Sequence, residues 1–189
     1  MKKLGFILFT GLLVLSACEK DEIEKDDEQE SSVNYDSRLR IESSNYLEGD
    51  FDAISTFEES QLDFDGEQVY EFSINMTDHI ELTKSRFLLG LSMYSDNPIF
   101  ELLEESSSYY FDDTWIAGGP KDNFGVGLTV WDENHENGVI YSNVIGGNVV
   151  FSEVGNNKIR GLFNFEIVAP ATNDTIKTKT SLVIAYPQQ

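Results

Sequence analysis

Between Gln68 and Met76 the side chains alternate, with Tyr70, Phe72, Ile74 and Met76 on one face of an extended chain and mostly polar residues on the other. A period of two is the mark of a half-buried strand, because successive side chains point to opposite faces of a sheet. Residues 124–131 repeat it, with Phe124, Val126, Leu128 and Val130 inward and Gly125 and Gly127 suiting a twist, a bulge or close approach by another layer. Arg86–Tyr94 does the same through Phe87, Leu89, Leu91 and Met93. Asn137-Gly138 supplies a hairpin turn ahead of a strand over Val139–Ile145.

Other segments fit the same rhythm. Tyr46–Phe57 and Tyr109–Ile116 read as strands, the second closing on Gly118-Gly119-Pro120. Pro98–Glu105 offers Asn97 as N-cap and Pro98 at the first helical position, but Glu104 and Glu105 would oppose the dipole at its end, so it reads as irregular or strand. Gly147–Val154 is a strand, Gly155-Asn156-Asn157 a turn, and Lys158–Ala169 a longer strand with Ile159, Phe163, Phe165 and Ile167 on one face. After a turn at Pro170–Asp174, Thr175–Tyr186 returns with Ile176, Leu182 and Ile184 in phase. Eight or more strands without a long helix predict an all-β fold, a single-domain antiparallel β-sandwich or β-barrel over residues 33–189. Closing or stacking the sheet hides the edges that an exposed β-protein must protect.

The first residues obey a different rule. Lys2 and Lys3 precede an apolar run, Leu4 to Leu15, which is followed by Ser16, Ala17 and Cys18. The run is too short for a bilayer span, which needs roughly 20 residues, and has the layout of an export signal. Leu15-Ser16-Ala17-Cys18 resembles the lipobox of bacterial lipoproteins, in which the cysteine thiol receives a diacylglyceryl group before cleavage ahead of it. The resemblance implies a signal peptide over residues 1–17 and a lipidated Cys18 as the first residue of the mature chain. Each buried lipid methylene is worth ~0.8 kcal/mol, so two or three acyl chains hold a protein near-permanently.

Residues 19–30 hold eight acidic and two basic side chains, a net of −6. Self-repulsion and low apolar content predict an extended tether over residues 18–32. Within it Lys20-Asp21-Glu22 resembles the Lys-acid-acid export signal of surface lipoproteins in Bacteroidota, which implies an outer-membrane, lipid-anchored protein exposed at the cell surface.

Loss of residues 1–17 removes Lys2 and Lys3 but no acid, moving the formal charge from −21 to −23. Such a surface repels phosphate backbones, and the sequence holds no continuous basic stripe; Lys177/Lys179 and Arg38/Arg40 are among its close basic pairs in the folded part. The expected membrane partner is reached through the lipid on Cys18, with no nucleic acid bound. Cys18 is the only cysteine, which excludes thiolate zinc sites and cysteine catalysis from the folded part.

Gly147-Asn148-Val149-Val150-Phe151, the Gly-Asn-Asn turn and Lys158-Ile159-Arg160-Gly161-Leu162-Phe163-Asn164-Phe165 together resemble the C-terminal signature of a group of uncharacterised Bacteroidota lipoproteins. Those carry a lipobox, an acidic spacer and a small all-β domain ending in a K-I-x-G-x-F-x-F strand and its partner. The motif covers about the last quarter of the chain. It implies location and fold, and it carries no catalytic residue.

Candidate sites are sparse. His79 and His135 are the only histidines. Asp132 to Gly138 is dense in oxygen donors, but Asn137 and Asn143 stand where a calcium loop of the EF-hand kind needs Gly and Glu, so a solvated turn is expected there and at Asp63–Glu67. No G-x-S-x-G, H-E-x-x-H, phosphate-binding loop or dinucleotide fingerprint is present, so no catalytic residue, metal or cofactor is assigned. Trp131 is out of phase with Val130 and points away from its face; Trp115 shares a strand with Tyr109 and Phe111. Such aromatics among Asp, Asn and Glu are how a sugar ring is held, which makes Trp115 and Trp131 ligand-binding candidates, against packing in a second layer. Asp174-Thr175-Ile176 resembles the Asp-Thr-aliphatic acceptor for O-glycosylation in Bacteroidota, which implies modification at Thr175. The expected function is a ligand- or glycan-binding envelope module; the alternatives are a non-catalytic interaction or adhesin subunit, then a hydrolase with two facing carboxylates.

Overall fold

The computed structural model describes residues 34–64, 67–112, 121–132 and 135–188. Eleven strands follow in order: β1 (Ser37–Ser43), β2 (Gly49–Phe64), β3 (Glu67–Thr77), β4 (Phe87–Ser95), β5 (Ser108–Tyr110), β6 (Lys121–Asp132), β7 (His135–Tyr141), β8 (Asn143–Gly155), β9 (Lys158–Val168), β10 (Thr175–Thr178) and β11 (Ser181–Pro187). Among the described residues the one helical element is a 3-10 turn, Leu82–Lys84. The fold is all-β.

The strands make one sheet in the order β5-β8-β9-β10-β1-β11-β2-β3-β4-β6-β7. β10 and β11 act as a single strand broken at Lys179-Thr180; β10 meets one part of β9 (Ile176↔Ile167) and β11 the other (Val183↔Gly161). β1 lies on their far side, with Ile41 opposite Thr178 and Arg38 opposite Leu182. The named strands pair antiparallel except β11 with β2, where β2 extends past the start of β1 and sets Thr56 beside Tyr186.

The chain itself joins the two ends of this order. β7 is paired to β6, yet it runs through Ser142 into β8, which is paired to β9, and Ser142 N donates to Val168 O at 3.2 Å. Beyond β5, Phe111 forms a parallel bridge with Phe124, and Asp112 N donates to Phe124 O at 3.0 Å. A strand that bends and changes partners at a corner is a means of curling one sheet back on itself. The architecture is barrel-like.

The alternation read in the sequence supplies the lining. In β4 every second residue from Phe87 to Ser95 is buried, and in β9 Ile159, Gly161, Phe163, Phe165 and Ile167 are. Rings fill the interior: Phe124 lies 6.2 Å from Phe72, 5.8 Å from Phe151 and 5.7 Å from Tyr109 between centroids. Full burial of a phenylalanine is worth roughly 1.5–3 kcal/mol, and an edge-to-face pair adds about 0.5–1.5. Ile99 and Leu103, from the irregular 98–105 segment, join this core, and Phe100 stacks on Phe57 at 5.9 Å.

Several expectations need correcting. The strand expected over Tyr46–Phe57 begins at Gly49 and reaches Phe64, and β1 was not expected at all. Asn137-Gly138 is no hairpin turn: Asp132 already pairs with His135, and Gly138 (φ +76°) sits in a bulge that lengthens β7 between His135 and Val139. Leu182 and Ile184 do not share the face of Ile176. The extra residue at Lys179-Thr180 reverses the phase, burying Thr178 before it and Ser181, Val183 and Ala185 after it. Of the strand expected over Tyr109–Ile116, β5 ends at Tyr110, and residues 113–116 lie outside the described residues.

Where β1 gives way to β2 beside β11, a serine side chain substitutes for backbone pairing. Ser37 Oγ accepts from Ile184 N (2.8 Å) and from Ser55 Oγ (2.8 Å), and donates to Ile184 O (3.1 Å). Both serines are buried. Nearby Ser181 Oγ accepts from Arg40 N at 3.0 Å and donates to Lys179 O at 3.0 Å, closing the bulge.

Candidate functional site

Two polar assemblies among the described residues are candidate sites, one buried and one exposed. The buried one centres on Asp174, 7% exposed, in the turn between β9 and β10. Its Oδ2 accepts from Tyr141 Oη (2.6 Å), Ser44 Oγ (3.0 Å) and Asn45 N (3.3 Å), and its Oδ1 from Asn45 Nδ2 (2.5 Å). Burial, with the bond to Asp174, pushes the Tyr141 phenol well above its ordinary value. All four donors are neutral and the partners are fully committed to one another. The cluster ties the β1–β2 loop and the β7–β8 corner to the β9–β10 turn.

The exposed assembly is a groove of about 450 Å³ on the outer face, across β9, β11, β1 and β2. Register builds it: Leu162 faces Leu182, Leu182 faces Arg38, and Arg38 faces Asp52. Leu162 is 50% exposed and Tyr35, just ahead of β1, is 44% exposed; Asp36, Arg40 and Thr180 complete the rim. Arg38 donates through Nε (2.9 Å) and Nη2 (2.7 Å) to Asp52 Oδ1, and Arg40 Nε through a longer 3.3 Å bond to Asp50 Oδ2. Tyr186 Oη donates to Asp36 Oδ2 at 2.7 Å, holding the approach to β1 in place. An apolar floor beside paired guanidinium and carboxylate groups can stack the apolar face of a ring and hydrogen-bond its polar edge.

The strand pairing also gathers basic residues that the sequence keeps apart. Arg38 and Arg40 of β1 lie against the strand that carries Lys177 and Lys179; Lys179 N donates to Arg40 O at 2.9 Å. Arg160 and Lys158, on β9, flank the other side. The two basic pairs noted in the sequence thus become one face, and nothing local in the sequence could reveal it.

The candidates picked from sequence fall elsewhere. Trp131 lies half-buried on the outer side of β6, and a Cβ added to Gly138 would stand 2.9 Å from its Nε1, so the indole edge lies on the bulge. β3 and β4 stand between it and the groove in the sheet order. Thr175 opens β10, half-buried, next to the buried Asp174. His79 Nδ1 accepts from Glu81 N at 3.0 Å in the loop after β3. Cys18, Lys20, Asp21, Glu22, Trp115 and the His135 side chain lie outside the described residues. Among the described residues no group of three His, Cys, Asp or Glu side chains converges as a metal site would need.

Comparison with protein-family models, with curated proteins and with solved structures gives no match.

Proposed function

We propose that this chain is a lipid-anchored envelope lipoprotein whose β-domain is a ligand-binding module, with glycans as the ligand class. The anchor is read from Leu15-Ser16-Ala17-Cys18, and display at the outer-membrane surface from Lys20-Asp21-Glu22. The observation that carries the binding half is where open space lies. Phenylalanine rings occupy the interior, while the groove of about 450 Å³ with its leucine floor and arginine rim is on the outside. Its volume lies within the range of small-ligand sites, roughly 300–1,000 Å³. The barrel is then a scaffold, and recognition is a surface event.

The test is binding of the full-length protein, in a nonionic detergent, to an array of neutral and acidic glycans, beside a Leu162→Glu variant. Retention of one glycan class by the wild type and its loss in the variant supports the reading; silence across the array refutes the binding half. Fractionation of Cys18→Ala tests the other half. The variant should leave the membrane pellet or remain uncleaved, and normal processing with unaltered membrane association would contradict an anchor at that position.

A further inference from the structure

We infer that the groove face selects an acidic glycan, a polysaccharide bearing carboxylate or sulfate groups spaced along its length. The inference deepens the reading of the groove as a binding surface and rests on it. Six of the nine Lys and Arg residues downstream of residue 33 stand on β9, β10–β11 and β1: Lys158, Arg160, Lys177, Lys179, Arg38 and Arg40. Their side chains lie on the outer side, at exposed or half-buried positions, in a chain of formal charge −21. With Asp36, Glu42, Asp50, Asp52, Glu153 and Glu166 among them, these basic groups make a face of locally balanced charge on an otherwise strongly acidic protein, and Glu153 faces Arg160 across β8 and β9. At a Debye length of about 8 Å in physiological salt, a ligand seated there feels that face more than the distant acids.

The ligand class follows from spacing and from the acids interspersed. Neighbouring strands are ~4.8 Å apart and same-face residues ~7 Å apart along a strand, so the cations form a sparse lattice. Carboxylates alternate with them: Asp52 binds Arg38, Asp50 binds Arg40, Glu153 binds Lys158 at 3.0 Å, and Glu166 faces Lys177 across the strand pair. Arg160, Lys177 and Lys179 form no ion pair with another described residue. A duplex nucleic acid presents a charge every ~1.7 Å and would meet these carboxylates at each step. An anionic bilayer would press a whole negative plane against the acidic remainder of the protein. A glycan with intermittent acid groups avoids both. Its charges pair with Arg160, Lys177 and Lys179 on the strands beside the groove, its hydroxyls bridge Asp52 and Thr180 on the rim, and the apolar side of a ring lies on Leu162, Leu182 and Tyr35.

The experiment titrates the full-length protein, in nonionic detergent, with polygalacturonate, alginate and chondroitin sulfate. Fully methyl-esterified polygalacturonate serves as the neutral isostere, and phosphatidylglycerol vesicles as the lipid control. Binding to at least one acidic glycan is expected, weakening as NaCl is raised. The ester should bind at least tenfold more weakly than its free acid where that acid is the ligand. Arg160→Gln/Lys177→Gln/Lys179→Gln should lose about tenfold in affinity, the scale of three exposed charge pairs, with circular dichroism and melting unchanged. Neutral glycans bound as tightly as acidic ones, with loss in Leu162→Glu, would overturn the acidic ligand and leave the groove reading standing. Acidic binding indifferent to the triple substitution would overturn the placement. Retention on vesicles with no glycan bound overturns the inference in favour of a lipid surface, and silence toward every probe overturns the inference and the groove reading together.

Discussion

The Tyr141 hydroxyl donates to Asp174 Oδ2 at 2.6 Å, joining the corner where β7 becomes β8 to the turn between β9 and β10. Tyr141 is fully buried and Asp174 nearly so, and the carboxylate takes three further bonds from Ser44 and Asn45. A buried polar network of this kind is valuable only while complete, because each orphaned acceptor keeps its desolvation penalty. Tyr141→Phe should therefore cost about 1–2 kcal/mol, and Asp174→Asn, which turns an NH2 donor toward existing donors, about 2–3 kcal/mol. Urea unfolding measures both. A change below ~0.5 kcal/mol in either would show that the network does not hold this end of the barrel.

The same phenol gives a pH signature. Tyr141 keeps its proton in the folded state above the pH at which an unfolded tyrosine, with an ordinary value near 10, would release it; Tyr94, buried and bonded to Glu71 Oε1 at 2.6 Å, does likewise. Above pH ~10 the unfolded chain binds fewer protons than the folded one, so stability falls as pH rises. Below that pH the contribution is fully present. Denaturant midpoints of wild type should drop between pH 9.5 and 11, and the drop should be smaller in Tyr94→Phe/Tyr141→Phe. Parallel curves for the two proteins would contradict the assignment.

Two glycines in the C-terminal motif region separate steric need from tolerance. A Cβ on Gly147 (φ +135°) would stand 2.2 Å from Asn164 O, and one on Gly161 would meet Val150 O at 2.9 Å and Phe151 Cδ1 at 3.0 Å. Gly127 has nothing within 4 Å of its added carbon. Gly147→Ala should cost at least ~2 kcal/mol, through backbone strain and displacement of β9, and Gly161→Ala about 1–3 kcal/mol through overpacking. Gly127→Ala should stay within ~0.5 kcal/mol. Melting temperatures in that order are the check, and equal losses at all three would refute it.

Ser37→Ala removes three hydrogen bonds at the point where β11 changes neighbour, leaving Ile184 N without its acceptor. A loss of about 1–3 kcal/mol is expected. Amide exchange gives the local readout: Ile184 N–H should exchange faster in the variant while Leu91 N–H, within β4, is unaffected. Uniform behaviour would mean that Ser37 does not splice the sheet.

The parts of this fold that were legible in the sequence are those that strict alternation encodes. Phe87, Leu89, Leu91 and Met93, or Phe163, Phe165 and Ile167, lie buried on one face because the period of two never slips along either strand, although Leu88 and Leu162 stand at outward positions. β1 was invisible because only Leu39 and Ile41 are apolar among its seven residues, the third inward position being Ser37. The phase reversal in β10–β11 escaped because Lys179-Thr180 carries no glycine to announce a bulge. Gly138 misled in the opposite sense, since a positive φ serves a bulge as readily as a two-residue turn. The groove was the least legible feature of all. Arg38 and Leu182 are far apart in the chain and become neighbours only through a non-local pairing, and no local pattern records which strands will meet.

The proposed membrane anchorage turns on the chemistry of Cys18. Mass spectrometry of the N-terminal peptide, from protein purified out of its native membrane, tests this most directly. The expected peptide begins at Cys18 and carries a thioether-linked diacylglyceryl group, with residues 1–17 gone. A peptide with an unmodified Cys18 thiol, or one that still contains Leu4 to Leu15, would contradict the account.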